Sequence, residues 1–168
     1  MSFIAEFLAS RFVGVRGGIS LNRGARALAA GKAEEAVRHF EDAVEAKTAA
    51  MGTAKHPVVG RALTELAAAH RLNKDSDKAA AALVDAVEIF QEQMPTDPET
   101  AITMNNLAVM LRNSGQHVQA RAVFGEALRL MREKIYPDNP LHHDLAAVAV
   151  NAARNELASG TGARGVFA

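Results

Sequence analysis

Residues 101–128 read AITMNNLAVMLRNSGQHVQARAVFGEAL. Apolar residues recur at helical spacing over 101–113, which predicts an amphipathic helix. Gly115 follows directly, and a glycine readily adopts the positive φ that ends a helix. The same spacing resumes at about residue 117 and continues to 135, where Tyr136-Pro137 stops it because proline cannot continue the hydrogen-bond pattern. The stretch therefore predicts two helices joined by a tight turn.

This two-helix pattern recurs along the chain with a period of about 42 residues. Gly31 and Gly115 lie 84 residues apart, which is two such periods. A second marker has the same period, because His56-Pro57, Asp97-Pro98 and Asn139-Pro140 are 41 and 42 residues apart. Alanine, the best helix former, supplies about a fifth of the chain. We therefore expect an all-α fold of about three helix hairpins in tandem.

The repeats also predict how the chain is divided. We expect the last hairpin to be covered by a single capping helix, because arrays of this kind need a polar outer face at their ends. The predicted segments are an N-terminal amphipathic arm (1–18), three repeats (19–57, 58–98 and 99–140), a capping helix (141–158) and a C-terminal tail (159–168).

These features resemble the tetratricopeptide repeat, in the long 42-residue variety of kinesin light chains. Residues 99–140 resemble a near-consensus repeat, and residues 58–98 resemble a second one in which Lys74 replaces the turn glycine. Residues 19–57 resemble a third, although Arg23 stands where the family expects leucine. In the best repeat the resemblance is carried by Met104–Leu111, Gly115, Ala120, Phe124, Glu126–Leu128 and Asn139-Pro140. It implies a superhelix of stacked hairpins.

The resemblance further implies that the first helix of each repeat lines a concave, partner-binding groove. Asn22, Glu65 and Asn106 occupy the same position in successive repeats. An asparagine amide both donates and accepts hydrogen bonds, so it can hold a peptide backbone. Alternatively, these polar residues are solvated or bonded within turns. The candidate groove residues are Asn22, Arg26, Arg61, Glu65, Arg71, Asn105, Asn106, Val109, Arg112 and Asn113.

The N-terminal arm is apolar on one helical face and poor in acidic residues, since Glu6 is the only acid before Glu34. The face that we expect to dock on a partner or a membrane surface carries Phe3, Ile4, Phe7, Leu8 and Phe12. Amphipathic, arginine-bearing and acid-poor starts are also typical of mitochondrial import signals. A helix folded back on the first repeat is the third alternative. We expect a mitochondrial location, with the cytoplasm as the alternative.

The composition argues against several classes of function. Nineteen basic and nineteen acidic residues cancel, whereas nucleic-acid-binding proteins normally carry a basic surplus. No apolar run reaches the roughly 20 residues that a membrane-spanning helix needs. The only His/acid cluster is His142-His143-Asp144, and adjacent histidines on a helix point about 100° apart. We therefore expect no metal site, no cofactor and, because no catalytic motif is visible, no enzyme activity.

Together these observations predict a non-catalytic protein–protein interaction scaffold. The favoured version is a structural or accessory subunit of a larger complex, in keeping with a mitochondrial location. The alternative is a free-standing adaptor that binds peptide segments in its groove, and a distant third is an enzyme whose site forms only at an interface. The expected partners are other protein subunits or peptide segments, with a peripheral membrane contact through residues 1–18 as a further option.

Overall fold

The computed structural model describes residues 2–139 and 141–159, and the side chains from residue 13 onward within those ranges. These described residues form seven α-helices and contain no β-strand. The helices are α1 (Ser2–Ala29), α2 (Ala33–Met51), α3 (Pro57–Leu72), α4 (Ser76–Gln93), α5 (Pro98–Asn113), α6 (His117–Leu130) and α7 (His143–Ala158), and a π-helical turn (Met131–Ile135) extends α6. The predicted all-α fold of helix hairpins is confirmed.

The turn inside each hairpin has the same backbone geometry. Gly31, Lys74 and Gly115 all adopt a positive φ, of 72°, 65° and 77° respectively. In each turn the N–H of this residue donates to the carbonyl three residues back, and the next N–H donates to the carbonyl five residues back. This Schellman arrangement satisfies carbonyls that a helix end would otherwise leave unpaired. Lys74 therefore holds a backbone conformation that normally selects glycine.

Two of the three X-Pro dipeptides that recur with the repeat start the first helix of a repeat. In His56-Pro57 the His56 Nδ1 accepts a hydrogen bond from the backbone N–H two residues on, at 3.2 Å. In Asp97-Pro98 the Asp97 Oδ1 accepts the equivalent bond at 2.8 Å. Both prolines lie in the first helical turn, where a missing N–H breaks no helical bond. The 42-residue marker is thus a cap followed by proline.

The helix after the third X-Pro dipeptide starts differently. α7 begins at His143, two residues later than predicted, because the residue that caps it is His142. The chain before it forms a turn in which the Asn139 N–H donates to the Tyr136 carbonyl at 3.2 Å. The start of α7 is therefore set by an imidazole cap that the X-Pro pattern does not reveal.

The chain packs as two units, residues 1–89 and 90–168. In the first unit α1 packs against α2, and α2 packs against α3. The core between them includes Ala27, Ala36, Phe40, Leu66 and Ala69. Since α1 runs without a break, the predicted border between the arm and the first repeat, at residues 18 and 19, falls inside one helix.

In the second unit α6 packs against both α5 and α7. Phe124, Met131 and Val148 are almost completely buried there. Thr100 is also buried, and its hydroxyl donates to the Met94 carbonyl at 2.7 Å, so the buried polar atom is satisfied. Among the described residues, no helix has the length and apolar character needed to cross a membrane.

Candidate functional site

The predicted groove residues of α5 divide into two groups, and the first group contacts α7. The Asn151 side-chain amide donates to Asn105 Oδ1 at 2.9 Å. The Arg112 guanidinium donates to the Asn151 main-chain carbonyl at 3.3 Å. Asn105 and Arg112 therefore bind the last described helix of their own chain.

Asn155 anchors the same helix further along. Its side chain is fully buried, and its Nδ2 donates to the His117 carbonyl at 3.0 Å. Its Oδ1 lies 3.2 Å from His117 Nδ1. An ion pair of 2.6 Å between Arg121 and Glu156 adds a contact at the surface. Sequence reasoning missed Asn151 and Asn155, because an asparagine inside a helix carries no local sign of its partner.

The second group of α5 residues remains accessible. Asn106 and Asn113 are exposed, and Val109 is half-buried between them along the helix. Asn106 and Asn113 are seven residues apart, which places them on one face of α5. This face therefore keeps polar donors and acceptors available to a partner.

In the first unit the predicted groove residues lie on α1 and α3. Asn22 and Arg26 are exposed on α1, and the exposed residues on α3 are Arg61, Glu65 and Arg71. Arg26 and Arg23 line a cleft of about 500 Å³ together with residues near the start of α2. Within that cleft Lys32 pairs with Glu35 at 3.1 Å, so the cleft has a basic surplus.

A stripe of small and apolar side chains on α7 is exposed. Val150 and Leu157 are 49% and 75% exposed. Ala146 and Ala153 are exposed as well, and the four residues follow the spacing i, i+4, i+7, i+11. That spacing places them on one face of the helix. We call these four residues the α7 stripe.

The apolar face of α1 continues beyond the predicted docking residues. Val15 and Ile19 are 61% and 48% exposed and lie one helical turn apart. The backbone of residues 2–12 is helical. The side chains named for that docking face (Phe3, Ile4, Phe7, Leu8 and Phe12) lie outside the described side chains.

Tyr136, His142, His143 and Asp144 form a compact polar cluster. The rings of Tyr136 and His142 stack with their centroids 3.7 Å apart, and the Tyr136 hydroxyl donates to Asp144 Oδ2 at 3.1 Å. Burial, followed by this carboxylate, raises the pKa of Tyr136. The expectation that the two histidines diverge on a helix is wrong, because His142 has an extended backbone (φ −54°, ψ 136°) before the first turn of α7.

Sequence comparison matches part of the chain to a known repeat family. Residues 58–133 match the sequence model of the tetratricopeptide repeat family. Tetratricopeptide repeats generally act as non-catalytic scaffolds that mediate protein–protein interactions. No curated protein matches the chain significantly.

Structural comparison extends the similarity over most of the chain. The fold is similar to a crystal structure of a Podosopora anserina protein described as a kinesin light chain with nearly identical TPR-like repeats, with a TM-score of 0.71 and 22% sequence identity. The match covers 90% of this chain and 68% of that one. A single-substitution variant of the same protein gives a TM-score of 0.72 at the same identity and coverage. Residues 58–133 are thus similar in sequence to tetratricopeptide repeats, and the chain has a fold similar to that of TPR-like helical repeats.

Proposed function

We propose that this protein is a non-catalytic subunit of a larger protein complex, held there through its first and last helices. The observation that carries the proposal is the α7 stripe. Single exposed apolar residues are ordinary on protein surfaces, whereas an aligned set on one helix face marks an interaction site. Because Val150 and Leu157 are on the same face, a partner helix can cover both at once.

α1 supports the same proposal from the other end of the sequence. Val15 and Ile19 are exposed one turn apart, and the helix extends from them back to Ser2. The sequence of that extension has the apolar pattern of a docking helix. Two helices with exposed apolar faces fit a subunit that is buried among neighbours better than a protein that works alone.

A peptide-binding adaptor is the second candidate, and a separate observation favours it. Asn106 and Asn113 stay exposed on one face of α5 although Asn105 is engaged by α7. Exposed amides on the first helix of a repeat suit the reversible capture of a peptide backbone.

Charge substitutions can separate the two candidates. The double variant Val150→Glu/Leu157→Glu places carboxylates on the α7 stripe, and Val118→Glu is a matched control because Val118 is 78% exposed on α6. The measurement is the apparent size of each epitope-tagged variant in native extract, by size-exclusion chromatography with mass spectrometry of the co-eluting proteins. For a complex subunit, the wild type and Val118→Glu elute in a large particle with a fixed set of proteins. The double variant elutes near its own mass of 17.8 kDa.

The adaptor makes the opposite prediction for these variants. In that case the Val150→Glu/Leu157→Glu variant keeps its partner, and Asn106→Ala loses the partner. Asn105→Ala keeps the partner but lowers the stability of the fold. If the wild-type chain itself elutes as a monomer with no co-eluting protein, the subunit proposal is wrong.

We also propose delivery to mitochondria. Within the described side chains, α1 carries Arg16, Arg23 and Arg26 and no acidic residue, which suits an arginine-bearing import helix. Residues 1–30 fused to a fluorescent protein should direct it to mitochondria, and replacing Arg16 and Arg23 with Glu should abolish this. Diffuse fluorescence of the unaltered fusion would favour the cytoplasm. Binding of the full chain to lipid vesicles would favour peripheral membrane contact.

A further inference from the structure

His142, His143 and Asp144 present three potential metal-binding groups to one point. Their ligand atoms all lie within 4.8 Å of one another. His143 Nε2 is 3.0 Å from Asp144 Oδ1, and His142 Nδ1 is 3.6 Å from Asp144 Oδ2. The extended backbone of His142 brings its ring back toward the carboxylate, so three consecutive residues converge.

These separations fit tetrahedral coordination. Imidazole nitrogens and carboxylate oxygens bind Zn²⁺ at about 2.0–2.1 Å, so two ligand atoms of a tetrahedral site lie about 3.4 Å apart. The measured separations, 3.0 Å from His143 to Asp144 Oδ1 and 3.6 Å from His142 to Asp144 Oδ2, fall on either side of this value, so the carboxylate offers a different oxygen to each imidazole. Two imidazoles and one carboxylate are also ligands that Zn²⁺ accepts, with a fourth position left open.

His142 Nδ1 directs its single lone pair at the start of α7. It accepts a hydrogen bond from the Asp144 N–H at 3.3 Å, so an ion that binds this nitrogen takes the place of that long capping bond. The positive end of the α7 dipole opposes a cation at this place, and the Asp144 carboxylate offsets that repulsion. His142 and Asp144 are three-quarters buried, whereas His143 is 85% exposed and can turn toward an ion.

Tyr136 holds two of the three groups in position. Its ring lies nearly parallel to His142, at an angle of 13°, and its hydroxyl donates to Asp144. Hydrogen-bonded and stacked neighbours of this kind orient metal ligands before the ion arrives. Two unrelated histidines on a protein surface would lack this stacking and hydrogen bonding.

We propose that His142, His143 and Asp144 bind one divalent transition-metal ion of the zinc type, with Tyr136 as the residue that positions them. The fourth coordination position is open to water or to an outside ligand. The bound ion joins the capping residue His142 to the first turn of α7. It thereby stabilises the helix that covers the α5–α6 hairpin.

Tyr136 provides a specific readout, because it is the only tyrosine and the chain has no tryptophan. The untagged full chain is titrated with ZnCl₂ at pH 7.5, and tyrosine emission and the melting temperature are followed. We expect a saturable change in emission at one equivalent with a dissociation constant below about 10 μM, together with a higher melting temperature. That affinity corresponds to about −7 kcal/mol.

Two variants decide the outcome. His143→Asn removes an exposed ligand, so the fold is retained, and zinc affinity should fall at least tenfold. His39→Asn is the matched control, since His39 lies 3.9 Å from Glu35 and is another histidine beside a carboxylate. It should bind zinc as the wild type does. The proposal is overturned if 100 μM ZnCl₂ leaves tyrosine emission unchanged, or if His143→Asn binds zinc as tightly as the wild type.

Discussion

Gly24 in α1 faces the ring of Phe40 in α2 so closely that a Cβ atom on Gly24 would lie 2.7 Å from Phe40 Cε1. Phe40 is only 1% exposed and belongs to the core of the first unit, so the ring has little room to move away. The glycine therefore determines how near α1 and α2 can approach each other.

We predict that Gly24→Ala destabilises the protein by about 1–3 kcal/mol, because the added methyl group overpacks this contact. The measurement is the free energy of unfolding in urea, followed by circular dichroism. Gly18→Ala in the same helix is the matched control, since nothing lies within 4 Å of a Cβ at that position. It should stabilise the helix by up to about 1 kcal/mol. Equal effects of the two variants would show that the Phe40 contact does not limit packing.

Lys74 is the one turn residue that lacks the glycine of its equivalents. A φ of 65° raises the conformational free energy of a residue with a side chain by about 1–2 kcal/mol. Replacing Lys74 with glycine removes part of this strain. We therefore predict that Lys74→Gly raises the free energy of unfolding by about 0.5–1 kcal/mol. Lys78→Gly removes the same charge inside α4 and should lower it by about 1 kcal/mol. A loss of stability in Lys74→Gly would contradict the strain argument.

Asn155 is the buried residue whose two side-chain atoms both contact His117. Asn155→Ala leaves the His117 carbonyl without this donor and should cost about 1–3 kcal/mol. Faster hydrogen exchange should appear first in α7, because the lost contact joins α7 to α6. Asn113→Ala removes an exposed asparagine on α5 and should change stability by less than about 0.5 kcal/mol. Unchanged exchange in residues 143–158 would mean that other contacts hold the helix.

The hairpins could be predicted from the sequence because their signals are local. A positive-φ turn selects glycine, and a cap followed by proline starts a helix, so both recur wherever the repeat does. Even the exception at Lys74 occupies the same place in its turn. The helices that these turns and caps predict are present in the structure and pack against one another.

The candidate site was less accessible to prediction because its contacts are long-range. Whether Asn105 meets a partner or a neighbouring helix depends on Asn151, which is 46 residues away. His142 and Asp144 converge because His142, just before α7, has an extended backbone. A helix predicted to begin at residue 141 places His142 inside the helix and so does not show this convergence. The side chains of the docking face in residues 3–12 stay a prediction.

His70 predicts how the first unit responds to acid. It is 5% exposed, and its Nδ1 lies 3.9 Å from Asp75 Oδ2 without a hydrogen bond within the described residues. Burial lowers its pKa from the ordinary 6.5, with Lys78 acting in the same direction and Glu41 and Asp75 opposing it. The folded state therefore binds this proton less readily than the unfolded chain, whose histidine titrates near 6.5.

It follows that His70 makes stability fall as the pH drops below about 6.5, until the pH passes the folded pKa and the loss is complete. The slope from one group cannot exceed about 1.4 kcal/mol per pH unit. The measurement is the free energy of unfolding from pH 7.5 to 5.0 for the wild type and for His70→Gln, which cannot titrate. The wild type should lose more stability than His70→Gln over this range. Parallel curves for the wild type and His70→Gln would mean that the folded protein accepts a proton on His70 as easily as the unfolded chain does, so that burial imposes no penalty there.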